Sequence, residues 1–257
     1  MAFESIEDHI VILGWSERVQ RIIRELRNDE HLASGDLKPI LVITSDRLPA
    51  VEIPFQRVYV IYGQLDDLSV LERANLPRAA SILIPSLDPA NPRHDGETIF
   101  KLLAVIGVCP QARICVEMAS ANHTELLNRL SNAGLLQKQI EFVAVESIAE
   151  RLMAQAAINR GVTRVYNHLI SFTEDSNEIY VVDIPPTWVG RTFRELMNDC
   201  FERGIILVGF ESGPDLQINP ADRGLRFQAG DRAWFIAYNK AAVLRIVDPT
   251  SLTPADK

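Results

Sequence analysis

The sequence predicts an α/β fold in three parts: a Rossmann-like parallel sheet, a helix-turn-helix connector and a small α+β unit. Three observations carry this. Residues 9–145 alternate short apolar runs with amphipathic stretches, six runs in all. That is the pattern of a parallel sheet covered by helices on both faces. The first run, His9-Ile10-Val11-Ile12-Leu13, closes on Gly14 and leads into a helical pattern, which is how a Rossmann unit opens. After Ser171 a polar break, Thr173-Glu174-Asp175-Ser176-Asn177, precedes shorter runs separated by proline and glycine turns.

Residues 10–13 form the first strand. Val19, Ile22, Ile23 and Leu26 then fall at i, i+3, i+4 and i+7, one face of a helix. Residues 28–38 are polar and hold Gly35, a loop longer than the usual connection. Residues 40–43 form a second strand. Residues 46–56 carry two prolines and are expected to lack a regular element through their centre. Residues 58–62 are a third strand, ended by Gly63, and 65–74 a short helix. Residues 81–84 are a fourth strand, stopped by Pro85; after the Pro89-Ala90-Asn91-Pro92 loop, 96–106 are helical. A fifth strand at 114–118, a helix at 122–130 and a sixth strand at 142–145 complete the sheet. Residues 148–158 form a helix with Leu152, Met153, Ala156 and Ala157 apolar. Gly161 interrupts it, and 165–170 resume. Such a helix pair at a border reads equally as an interaction element or as a connector packed on its own sheet.

In the last part, 179–182 alternate like a strand and Pro185-Pro186 makes a rigid turn. Residues 193–200 are helical, 205–210 a strand, Gly213-Pro214-Asp215 a turn and 216–218 a short strand. Phe227-Gln228-Ala229-Gly230-Asp231 leads into a strand at 233–237, and the strands are expected to pair in mixed directions. The resulting division is a first lobe at 8–146, connecting helices at 147–172 and a second lobe at 176–248.

The net charge of −8 argues against binding along a nucleic-acid backbone. Cys109, Cys115 and Cys200 are too scattered for a disulfide framework or a zinc site and fit a reducing, cytosolic setting. No run reaches the roughly 18 consecutive apolar residues of a membrane span. Glu4, Glu7 and Asp8 make the N-terminus unlike a signal peptide. The expectation is a soluble chain whose membrane part, if it has one, lies elsewhere.

A dinucleotide-binding turn wants glycine at positions 16 and 19 as well as 14. Ser16 instead puts a Cβ where the pyrophosphate approaches, and Val19 adds bulk where helix and strand pack tightly. The fold signal survives and the enzyme signal does not, which points to sensing. An anion is still conceivable at Gly14, Trp15 and Ser16, where helix N–H groups point outward. Asp46, after the second strand, stands where a ribose-binding acid would lie, or caps a loop. Gln64 follows Gly63 where nucleotide binders tend to carry an acid. Trp15 packs over the sheet edge or meets a partner. His9, His31, His94, His123 and His168 are scattered and form no catalytic grouping. His9 reads as structural, and His94 beside Asp95 as a faint metal hint or a plain loop pair.

Several pieces resemble RCK domains, the regulators of potassium conductance in ligand-gated channels and transporters. They are His9 to Glu17, Tyr62-Gly63-Gln64, Leu71-Glu72-Arg73-Ala74-Asn75-Leu76, Val116-Glu117-Met118 and Glu146-Ser147-Ile148-Ala149-Glu150-Arg151-Leu152-Met153. In the second lobe, Pro185-Pro186-Thr187-Trp188-Val189-Gly190-Arg191-Thr192 and Phe227-Gln228-Ala229-Gly230-Asp231 resemble the RCK C-lobe. The look is closest to calcium-gated prokaryotic channels and the CASTOR and POLLUX branch.

The resemblance implies no enzyme but a cytoplasmic gating module attached to a membrane channel, for potassium. It implies pairing through residues 148–170 into a dimer, and assembly into a tetramer or octamer ring under the pore. Ca2+ is the ligand it suggests first, a nucleotide second; NAD is not expected. Glu117 matches one calcium-binding acid of a calcium-gated relative, while Pro85 and Ala119 hold the other two positions. Asp88, Asp95 and Glu97 either rebuild a site nearby or form a solvated acidic loop capping the helix near Gly96. The alternatives are a soluble nucleotide-sensing subunit of a potassium transporter and an NAD-dependent oxidoreductase.

Overall fold

The structure, a computed structural model, describes residues 3–28, 37–45, 55–64, 67–109, 112–136, 140–171, 177–213 and 215–247. Two compact units divide between Arg160 and Gly161.

The first unit holds strands β1 (His9–Leu13), β2 (Ile40–Thr44), β3 (Val58–Tyr62), β4 (Ala79–Ile84), β5 (Arg113–Met118) and β6 (Ile140–Ala144). Its helices are α1 (Glu17–Asn28), α2 (Leu68–Arg73), α3 (Asp95–Val108), α4 (Ala121–Asn132) and α5 (Val145–Ile158). The strands form one parallel sheet in the order β3-β2-β1-β4-β5-β6. Strand order reverses between β1 and β4, where sheets of this kind open a crevice at their C-terminal ends. Alternation along β1 explains the layers: Val11 and Leu13 join the core on one face, and Ile12 joins Val19 and Ile23 on the other. The loops expected at 28–38 and 46–56 fall mostly outside the described residues.

His9 is fully buried at the start of β1. Its Nε2–H donates to the Ala74 carbonyl at 2.9 Å, and Nδ1 has no partner among the described residues. Burial therefore holds its pKa below the usual 6.5, partly offset by the Ala74 carbonyl and Asp8. Free thiols are protonated here: burial raises Cys115 to about 11 and Cys200 to about 12.

The second unit holds α6 (Val162–Ile170), β7 (Glu178–Asp183), α7 (Phe193–Phe201), β8 (Ile206–Ser212), β9 (Asp215–Ile218), β10 (Arg232–Ala237) and α8 (Lys240–Val247). Its sheet, ordered β7-β10-β8-β9, is antiparallel throughout rather than mixed. Gly209 permits the β8–β9 approach, since a Cβ there would lie 2.2 Å from the Gln217 carbonyl oxygen. The core is aromatic: the Phe193 and Phe227 rings stack at 6.3 Å, and Phe210 meets Phe227 at 5.1 Å. The two recognisable sequence pieces are one clasp. Gly190 N–H donates to the Phe227 carbonyl at 2.8 Å, and Phe227 N–H donates to the Arg191 carbonyl at 3.0 Å. The Thr192–Glu195 capping box then starts α7. Helix α8 is an addition to the elements expected from the sequence. Its signal is Asn239, whose side chain accepts the Ala242 N–H at 2.8 Å, followed by buried Val243 and Ile246.

The neutral, buried His9 sets a pH dependence. Its folded pKa is depressed, so the unfolded chain binds the proton first and stability is lost as pH falls below 6.5 toward the folded value. Urea melts across this range should show that loss, and His9→Gln should flatten it.

Candidate functional site

The candidate site lies at the C-terminal edge of the parallel sheet, around the ends of β1, β4 and β5. β1 ends at Gly14, which takes φ +108°, and its N–H donates to the Ile43 carbonyl at 2.8 Å. Ser16 Oγ accepts the Val19 N–H at 3.3 Å, so the first turn of α1 is capped by its own side chain. That N–H is one an incoming phosphate would otherwise use. Val19 is buried with Ile12 and Ile23, and Trp15 packs against the same cluster. Gly14, Trp15 and Ser16 share a crevice with Pro85, Ser86 and Lys101. Its volume is about 20 Å³, room for about one water molecule. Gln64 is exposed beyond β3. Asp46 lies outside the described residues.

Two buried carboxylates dominate the edge. Glu117, 7% exposed, closes β5. Its Oε2 accepts the Ser86 N–H at 3.0 Å, and its Oε1 accepts Nη2 of Arg18 from the first turn of α1. Asp95, 0% exposed, opens α3. It accepts the N–H groups of Ala119 at 2.8 Å and Ser120 at 2.9 Å, and His123 Nδ1 lies 2.6 Å away. The sequence sets Asp95 beside His94, whereas the fold pairs it with His123. The other acids are engaged elsewhere: Asp88 accepts the Ala90 N–H at 3.1 Å in its own turn, and Glu97 pairs with Lys101 at 2.7 Å. Among the described residues no three His, Cys, Asp or Glu side chains gather to hold a metal. Glu117, Asp88, Asp95 and Glu97 thus each have a partner of their own. Arg18, Ser86 and His123 escape sequence reasoning because their partners lie far along the chain.

Two helices present apolar residues without burying any. No residue of α5 is buried, and Met153 is 72% and Ile158 81% exposed. No residue of α6 is buried either, with Val165 and Ile170 exposed. A groove of about 380 Å³ runs between α4, β6 and α5, lined by Asn122, Asn128, Phe142, Ile148 and Arg151 among others. Among the described residues no helix is long and apolar enough to cross a membrane.

Residues 5–116 match the family described as calcium-activated potassium channel slowpoke-like RCK domain. Residues 146–248 match the family described as Castor and Pollux, part of voltage-gated ion channel. The chain is similar to ion channel POLLUX of Lotus japonicus, 22% identical over 245 residues, covering 90% of this chain and 25% of POLLUX. It is 24% identical to ion channel CASTOR of the same plant, over 90% of this chain and 27% of CASTOR. It is 23% identical to the calcium-gated potassium channel TvoK of Thermoplasma volcanium, covering 93% of this chain and 64% of TvoK. The chain thus spans about a quarter of the plant channels' length. The fold resembles the human SLO3 gating ring with a TM-score of 0.66 at 16% identity, over 93% of this chain and 46% of that one. The matched families are regions of channels, and the oxidoreductase reading falls with them.

Asp95 should prove structural. In Asp95→Ala the Ala119 N–H is left buried without an acceptor, at a cost of roughly 1–3 kcal/mol. Urea unfolding should show a lower midpoint with an unchanged slope.

Proposed function

We propose that this chain, which joins a slowpoke-like RCK domain at residues 5–116 to a Castor and Pollux region at 146–248, is a ligand-sensing gating module of a potassium-type channel. It works on the cytoplasmic side, as a ring of paired copies that pulls on a pore in the membrane. The carrying observation is the bareness of α5 and α6. Isolated helices this short are marginal in water, and exposed apolar side chains on each helix suit an interaction surface. A second copy of the chain supplies the missing cover. The first lobe (8–146) then serves as sensor, the helices at 147–172 as the joint, and the second lobe (176–248) completes each pair.

Gating follows from differential binding. A ligand shifts the ring only by the difference in its affinity for two ring shapes. Moving a closed majority to an open one takes about 5.5 kcal/mol; shared among four copies, that is about 1.4 kcal/mol each. Calcium is the first ligand to try, because the relative TvoK is named for it. A nucleotide-sensing transporter subunit finds less support, given the 20 Å³ crevice and the capped α1.

Sedimentation velocity tests the assembly. The chain should sediment as a dimer or larger, and Met153→Glu with Ile158→Glu should yield a folded monomer by circular dichroism. A monomeric parent chain, or a double variant that still assembles, removes this reading.

A further inference from the structure

We infer that Arg18 is the resident cation of Glu117, and that it closes this edge of the first lobe to calcium and magnesium. Glu117 closes β5 and Arg18 stands in the first turn of α1. They are 99 positions apart in sequence, and the fold brings them into contact.

Glu117 is 7% exposed, and a buried carboxylate holds its charge only with a charged or hydrogen-bonding partner. Both its oxygens are used, Oε2 by the Ser86 N–H and Oε1 by the Arg18 guanidinium. A calcium ion would have to displace Arg18 and then gather six to eight oxygen ligands. Among the described residues, the neighbouring side chains do not supply them. Pro85 and Ala119 carry no side-chain oxygen. Asp95 is committed to the Ala119 and Ser120 N–H groups and to His123. Ser86 Oγ, buried and without a partner among the described residues, is one neutral oxygen. Lys101, which lines the adjoining crevice, holds Glu97 in an ion pair at 2.7 Å, so that acid is committed as well. The guanidinium thus does for Glu117 what an ion would do, tethered and always present. This neutralisation lies within the first lobe alone and holds whether or not the chain assembles into a ring.

Thermal melts of the full chain test it, on the parent, Arg18→Met, Glu117→Gln and the double variant, each with EDTA, millimolar CaCl2 or millimolar MgCl2. The parent should show no divalent-dependent rise in Tm that Glu117→Gln removes. Arg18→Met should lower Tm by several degrees, and the same change on the Glu117→Gln background should lower it by less than half as much. A divalent-dependent rise equal in parent and Glu117→Gln places that ion elsewhere and supports the inference. A rise abolished by Glu117→Gln overturns it, as does an Arg18→Met chain melting at the parent temperature or a strictly additive double variant. If Arg18→Met does not fold, the neutral Arg18→Gln takes its place under the same criteria.

Discussion

The buried charge of Glu117 is the constraint on which the C-terminal edge of the first sheet depends. A parallel sheet ends in crossover loops whose backbone N–H groups leave the ladder and need acceptors. Glu117 supplies one to the loop after β4 through Ser86, and draws the first turn of α1 across through Arg18. Asp95 does the corresponding work one crossover along, accepting two N–H groups at the start of α4. Two carboxylates therefore join three crossovers, and neither is left open to solvent.

The same internal pairing governs the Rossmann opening. Ser16 caps α1 with its own hydroxyl, Val19 fills the space between helix and sheet, and the crevice left over has room for about one water. The turn keeps the conformation that Gly14 allows, while the Val19 N–H is satisfied from within. In the first unit α5 leaves Met153 and Ile158 bare, and in the second α6 leaves Val165 and Ile170 bare. These exposed apolar residues are the ones on which the proposed pairing of copies rests.

The second unit rests on a different principle. Its core is a cluster of aromatic rings around Phe227, held by the backbone clasp between residues 190–192 and 226–227. The clasp explains why two separated sequence pieces are recognisable together: each needs the other to satisfy its backbone. Side-chain alternation fixes which face of a short strand is buried and carries nothing about the direction of its neighbour, so the positions of these strands are legible in the sequence while their direction of pairing is not. Helix α8 is hard to see there because eight residues after a turn carry little periodicity until Val243 and Ile246 are known to be buried.

By itself the sequence determined the alternation of strands and helices, the glycine turn after β1, and the loss of the second and third glycines of a dinucleotide site. These are local properties, set by side-chain period and backbone freedom within a few residues. Only the tertiary structure decided that Arg18 meets Glu117 across 99 positions, that Asp95 takes His123 rather than its neighbour His94, and that the second sheet is antiparallel throughout. The reason is physical: a buried charge is neutralised by whatever the packed elements bring within reach, and that proximity is a property of the assembled fold, which no short stretch of chain encodes.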